Sequence, residues 1–225
     1  MNKAPRAVIF DMDGTLIDSE RLLIDTWRIT AEKHGFDYLH FVEVLKLCIG
    51  LRNDETSKVF EREYGPEFDY RAYGEETIEI FLQRVLDGEA GIKPGAFYIL
   101  EGLRLRGVPI ALGTSTRTVR VEPRVRVSGM EGYFDAVVCG DMVSRSKPEP
   151  DIFLKAAERL GVSPEKCLVV EDSNAGAEAA FRAGMRVILV PDVLEPSPKN
   201  KERAERVCED LFGAADHIFG LLDGE

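Results

Sequence analysis

Five short apolar runs punctuate the chain, at residues 7–10, 109–112, 136–139, 168–171 and 187–190. Each is rich in Val, Ile or Leu and shows no polar alternation, the pattern of a strand buried on both faces. Helical stripes fall between most of them. Phe153, Ala156, Ala157 and Leu160 recur at helical spacing after Pro150 and stop at Gly161, and Ala177, Ala180 and Phe181 form a similar stripe ending at Gly184. Alternation of apolar strands with helices predicts a parallel sheet covered on both sides, a doubly wound Rossmann-like α/β domain.

One interval breaks this rhythm. About a hundred residues separate the first strand from the second, whereas a strand–helix–strand unit needs about 30 in all, leaving roughly 70 extra. Helices are the elements expected within them, at residues 20–34 and 75–86. The second carries a stripe of Ile78, Phe81, Leu82, Val85 and Leu86. The expected organisation is an α/β core at 1–19 and 92–225 and a small helical domain at 20–91, emerging beside the ligand-binding edge of the sheet as a lid. Residues 118–130 resist assignment, because Val, Arg and Pro123 make a poor helix by propensity.

The first strand ends on Asp11, followed by Asp13, Gly14 and Thr15. Two carboxylates at i and i+2 at the end of a buried strand repel unless something neutralises them. Read in isolation, Asp-Gly is also a common turn dipeptide. The other strand ends decide the matter. In a parallel sheet the residues past each carboxyl end converge, bringing Thr114 and Ser115, then Lys147, then Glu171 and Asp172, to the same edge. Each alone has an ordinary reading, as a turn, a solvated charge or an acidic helix cap. Together they form a site in which Asp11, Asp13 and Asp172 can hold Mg²⁺ while Thr114, the backbone N–H of Ser115 and Lys147 bind phosphate oxygens. Asp11 is then placed to attack phosphorus.

Composition narrows the partners. Hydrophobic content of 44% and charged content of 31% are ordinary for a globular protein, and a net charge of −11 argues against a nucleic-acid or acidic-membrane partner, since both need a basic face. No apolar run approaches the ~18 residues of a membrane span, and residues 1–6 show no secretory h-region, so a cytoplasmic location is expected. Cys48, Cys139, Cys167 and Cys208 lack metal-site spacing and read as buried thiols, while His34, His40 and His217 are too scattered for a zinc site. A small phosphorylated metabolite is the expected partner, for a monomer or weak dimer.

Asp11-Met12-Asp13-Gly14-Thr15, Thr114-Ser115, Lys147-Pro148 and Glu171-Asp172 together resemble the four motifs of the haloacid dehalogenase superfamily. The chain looks like its β-phosphoglucomutase-like branch, which carries a helical cap inserted after the first motif. That resemblance covers nearly the whole chain. It implies Mg²⁺-dependent phosphomonoester hydrolysis through an aspartyl-phosphate, with Asp11 as nucleophile and Asp13 as general acid/base whose backbone carbonyl also binds metal. Thr114 and Lys147 match the phosphate-binding hydroxyl and lysine, Asp172 the metal ligand, and Glu171 its partner, usually bonded to metal-bound water.

Alternatives within and beyond the family are separable by chemistry. A halide leaves without a proton, so dehalogenation needs no second acid, whereas an alkoxide leaving from phosphate does; Asp13 favours the phosphatase. Phosphosugar mutases of this branch carry a histidine on the first cap helix. The corresponding place here is about Leu23, so hydrolysis is expected, with the mutase as the alternative. A phospho-accepting signalling domain lacks the insertion and places its acceptor on a middle strand. For the substrate, Arg52 in Gly50-Leu51-Arg52-Asn53 resembles the cap loop that enters the site and is a candidate contact. Of the run Arg117, Arg120, Arg124 and Arg126, the expectation is a surface location, with Arg117 the one close enough to matter.

Overall fold

The computed structural model describes residues 4–48 and 53–224. β1 (Ala7–Phe10) is followed by a tight loop and β2 (Ile17–Asp18), then four helices: α1 (Ser19–Lys33), α2 (Tyr38–Leu47), α3 (Asn53–Tyr64) and α4 (Tyr70–Leu86). The chain returns through β3 (Gly91–Ile92), antiparallel to β2. It continues through α5 (Ala96–Leu105), β4 (Ile110–Gly113), α6 (Thr118–Val127), β5 (Ala136–Val138) and α7 (Asp151–Leu160). The last elements are β6 (Cys167–Glu171), α8 (Asn174–Arg182), β7 (Arg186–Leu189), α9 (Pro198–Arg203), β8 (Arg206–Val207) and α10 (Leu211–Asp223).

Six strands form one parallel sheet in the order β5-β4-β1-β6-β7-β8. β1 is therefore central, and the chain runs from it to one side through β4 and β5 before crossing to β6 on the other. That reversal is where a doubly wound sheet binds ligands. The pleat of β1 sorts its side chains: Val8 and Phe10 pack with Leu100 and Leu103 of α5 and Ile218 of α10 on one face. Ala7 and Ile9 pack with Phe153 of α7 and Ala180 of α8 on the other. Both faces are covered, which is why the strands read as unbroken apolar runs.

By contact density the chain divides into two compact units, Met1–Ser19 with Ala90–Glu225, and Glu20–Glu89. The second holds α1 to α4 around an aromatic cluster in which Phe41 and Tyr73 lie 4.9 Å apart and Phe60 and Tyr70 4.5 Å apart. In α4 the buried positions are Tyr73, Thr77, Phe81 and Val85, while Leu86 is exposed. The expected stripe of larger aliphatics is thus rotated toward a four-residue spacing that begins before residue 75.

Residues 118–127 are helical, against expectation. Pro123 sits on the sixth position, and Val121 and Arg124 are the buried residues that tie the helix down. Tertiary packing overrides the weak propensity of the Val-rich segment. Among the described residues no helix is long and apolar enough to cross a membrane. The four cysteines are buried free thiols.

Leu103 is fully buried beneath the sheet. Leu103→Ala is expected to cost about 2–5 kcal/mol, read as a lowered urea midpoint with an unchanged slope.

Candidate active site

The ladder positions the first carboxylate. The Asp11 N–H donates to the Val170 carbonyl at 3.0 Å, so pairing between β1 and β6 runs one residue past β1 and fixes where the Asp11 side chain begins. The Thr114 N–H likewise donates to the Val138 carbonyl at 3.0 Å, and the Gly140 N–H to the Thr116 carbonyl at 2.9 Å, joining the loops after β4 and β5. Between Asp11 and β2 the chain turns at Gly14, whose φ of +84° disfavours other residues. A Cβ there would also lie 2.5 Å from Asp172 Oδ2, so the turn is pressed against the carboxylate beyond β6.

Asp11, Glu171 and Asp172 converge at this edge, each offering a carboxylate oxygen within 4.8 Å of the others. They are buried, Glu171 to 1% exposure. Lys147 Nζ donates to Asp11 Oδ1 and, at 2.8 Å, to Glu171 Oε1, and stands 4.8 Å from the Phe153 ring centre. The other Glu171 oxygen accepts from the Ser173 N–H at 2.7 Å and the Ser173 hydroxyl at 2.8 Å. Ser173 in turn caps α8 by accepting from the Gly176 N–H. Thr15 Oγ1 donates to Asp172 Oδ1 at 2.9 Å. A Cβ at position 176 would sit 2.0 Å from the Glu171 carboxyl, so the first turn of α8 admits only glycine there without displacement.

Electrostatics follow from this crowding. Burial raises the Asp11 pKa well above the carboxylate range; Lys147 opposes the rise, and Glu171, Asp172 and Asp13 add to it. Burial, then the Glu171 charge, push Asp172 up to about 7, against the Thr15 hydrogen bond and Lys147. For Lys147, burial would lower the pKa, but Asp11 and Glu171 outweigh it and hold the ammonium charged. Three buried carboxylates facing one ammonium form a donor set of hard oxygens with uncompensated negative charge, and such a set fits a divalent cation.

Thr114 is buried, and its Oγ1 accepts from the Thr116 N–H at 3.1 Å, which leaves the hydroxyl proton available to an anion. Ser115 is exposed and its Oγ accepts from Ser146 at 2.9 Å. Asp13 is engaged elsewhere: its carboxylate accepts from Ser19 Oγ at 2.6 Å, Arg124 Nη1 at 2.6 Å and Thr116 Oγ1 at 2.7 Å. Its side chain belongs to a separate donor cage, not to the acidic cluster.

Arg124 corrects the expected surface location of the arginine run. Its side chain is 5% exposed and pairs with Asp13, whereas Arg117 at the start of α6 is exposed. Val121, Arg124 and Val125 share one helical face, a signal that Pro123 obscured. Ser19 and Thr116 were likewise not singled out by motif. Arg52 lies outside the described residues.

The sheet thus gathers a buried acid at the end of its central strand and a lysine on that acid at one edge, with a buried hydroxyl past the neighbouring strand. The chain belongs to the haloacid dehalogenase-like hydrolases, whose family profile matches residues 8–190. It is 36% identical over 189 residues to a phosphorylated carbohydrates phosphatase of Thermotoga maritima, covering 81% of this chain and 83% of that one. It is 32% identical over 184 residues to the fructose-1-phosphate phosphatase YqaB of Escherichia coli, covering 80% and 94%. Among solved structures, a Thermotoga maritima protein described as a candidate beta-phosphoglucomutase superposes with a TM-score of 0.78 at 30% identity, covering 97% and 99%. The protein is a phosphoric monoester hydrolase of the β-phosphoglucomutase-like branch.

The raised carboxylates give metal binding a pH signature. Asp172, at about 7 in the fold, lies above its unfolded value, so the metal-free fold loses stability as pH rises from the unfolded pKa through 7. A cation needs the deprotonated ligand and offsets that loss. The rise in Tm on adding Mg²⁺ is therefore expected to be larger at pH 8 than at pH 5; an equal rise at both would remove Asp172 from the binding set.

Proposed function

We propose that the protein hydrolyses a small phosphomonoester, a sugar phosphate or similar metabolite, with Mg²⁺ as its divalent cation. The observation that carries this reading is Asp11: a carboxylate at the end of the central strand, buried, bonded to Lys147 and beside Glu171 and Asp172. Asp11 and Asp172 are the side chains that would hold the cation, with the Asp13 backbone carbonyl; bound there, it would supply neutralisation of phosphate charge. Lys147 and the Thr114 hydroxyl hold phosphate oxygens, with the Ser115 N–H as a further donor. Asp11 then attacks phosphorus, the P–O bond to the leaving group breaks, and Asp13 gives that oxygen its proton. Water attacks the aspartyl-phosphate with Asp13 taking its proton, which regenerates Asp11 and releases phosphate.

Residues 1–19 and 92–225 are proposed as the catalytic core and 20–91 as the cap that selects the leaving group, with Arg52 and Arg117 as candidate substrate contacts. The identity to phosphatases of carbohydrate phosphates supports the substrate class. The likeness to a candidate beta-phosphoglucomutase keeps one second reading in play, transfer of the phosphoryl group between two positions of one sugar. Leu23, at the place of the mutase histidine, carries no titratable group and favours water as the acceptor. Incubation with β-glucose 1-phosphate and a trace of the bisphosphate is expected to yield inorganic phosphate or nothing; accumulating glucose 6-phosphate would establish the mutase.

Asp11→Asn is expected to abolish phosphate release from a panel of phosphorylated metabolites, and EDTA to do the same until Mg²⁺ is restored. Retention of a tenth of wild-type turnover by Asp11→Asn would rule out the aspartyl-phosphate.

A further inference from the structure

Asp13 is held more tightly than an acid that merely faces solvent. Ser19 and Arg124 both donate to Oδ1, and Thr116 donates to Oδ2, so each carboxylate oxygen has a fixed partner. The donors come from three separate segments: the start of α1, the loop after β4 and the middle of α6. Ser19 and Arg124 are buried, at 3% and 5% exposure. Taking a guanidinium out of water inside a helix of otherwise ordinary residues is unfavourable unless its partner is well placed, and a buried ion pair is weak evidence of a stabilising role. The three donors converge instead on a carboxylate that is outside the acidic cluster.

We infer that Arg124, with Thr116 and Ser19, is a positioning residue for Asp13, fixing the carboxylate that exchanges a proton with the leaving group and with water. The inference rests on the acid/base reading of Asp13. Arg124 acts through Asp13, so its loss must matter in proportion to how much the leaving group needs a proton. An alkoxide needs one; p-nitrophenolate departs without it. A brace that merely ties α6 to the first loop would instead affect both esters alike.

The test compares kcat/KM on p-nitrophenyl phosphate with that on the best substrate among sugar phosphates, fructose 1-phosphate included, in the full-length protein. Arg124→Met is expected to lower the sugar-to-aryl ratio at least about tenfold, with Arg124→Lys recovering part of it. In an Asp13→Ala background, Arg124→Met should change the ratio by no more than about twofold, because residues acting as one unit do not add. Equal losses on both esters, or full multiplication of the two effects, would overturn the inference. Should Arg124→Met not fold, Thr116→Val carries the same comparison, and an unchanged ratio there would overturn it as well. If Asp13→Ala itself loses both esters equally, or no ester is turned over, the acid/base reading and this inference fall together; if Asp13→Ala is selective and Arg124→Met is not, this inference alone falls.

Discussion

The arrangement depends on negative charge brought out of water at the carboxyl ends of β1 and β6. Strand burial makes this unavoidable: every residue of β1 and β6 is buried, so Asp11, Glu171 and Asp172 emerge into a region that already excludes solvent. Their neighbours are arranged around that fact. Lys147 spans Asp11 and Glu171, Ser173 takes up the second Glu171 oxygen, and Thr15 donates to Asp172. Backbone without a Cβ, at Gly14 and Gly176, is what lets loop and helix close on the carboxylates. When ionised, these carboxylates carry more negative charge than Lys147 offsets, and such a set fits a divalent cation.

Asp11 and Asp13 lie two residues apart and live in different surroundings. Asp11 faces other carboxylates across Lys147; Asp13 faces a guanidinium and two hydroxyls. Two titratable groups whose environments differ in this way take different chemical parts. On the proposed reading the first is the nucleophile, once cation and phosphate are bound, and the second holds or gives a proton. The spacing needed for this is short because the Gly14 turn redirects the chain directly after Asp13.

Much of this was legible because it is local. Apolar runs fix the strands, and residues at strand ends follow from them, so the sequence pattern places Asp11, Thr114, Lys147 and Glu171 at one edge. Arg124 is not placed this way. It depends on α6 being a helix, and Pro123 with the β-branched residues around it argues otherwise; only burial of Val121 in the core and of Arg124 on Asp13 decides the segment. The buried face of α4 shows the same limit. Its Tyr73, Thr77, Phe81 and Val85 spacing is set by an aromatic cluster assembled from four helices, which periodicity within one helix does not reveal. The Asp13 cage was hidden for the converse reason: its donors come from segments 6, 103 and 111 residues away along the chain.

Phosphate chemistry and substrate choice make different demands on the chain. On the proposed reading Asp11, Lys147 and the Thr114 hydroxyl meet the phosphoryl group, and Asp13 supplies its leaving group with a proton. Discrimination must come from groups that touch the leaving group after the phosphate is seated. Asp13 is proposed to meet that leaving group through its proton, with Arg117 as a further candidate contact from the core. A carboxylate held by three fixed donors presents its oxygens from one place, which is what the proposed proton transfer asks of it.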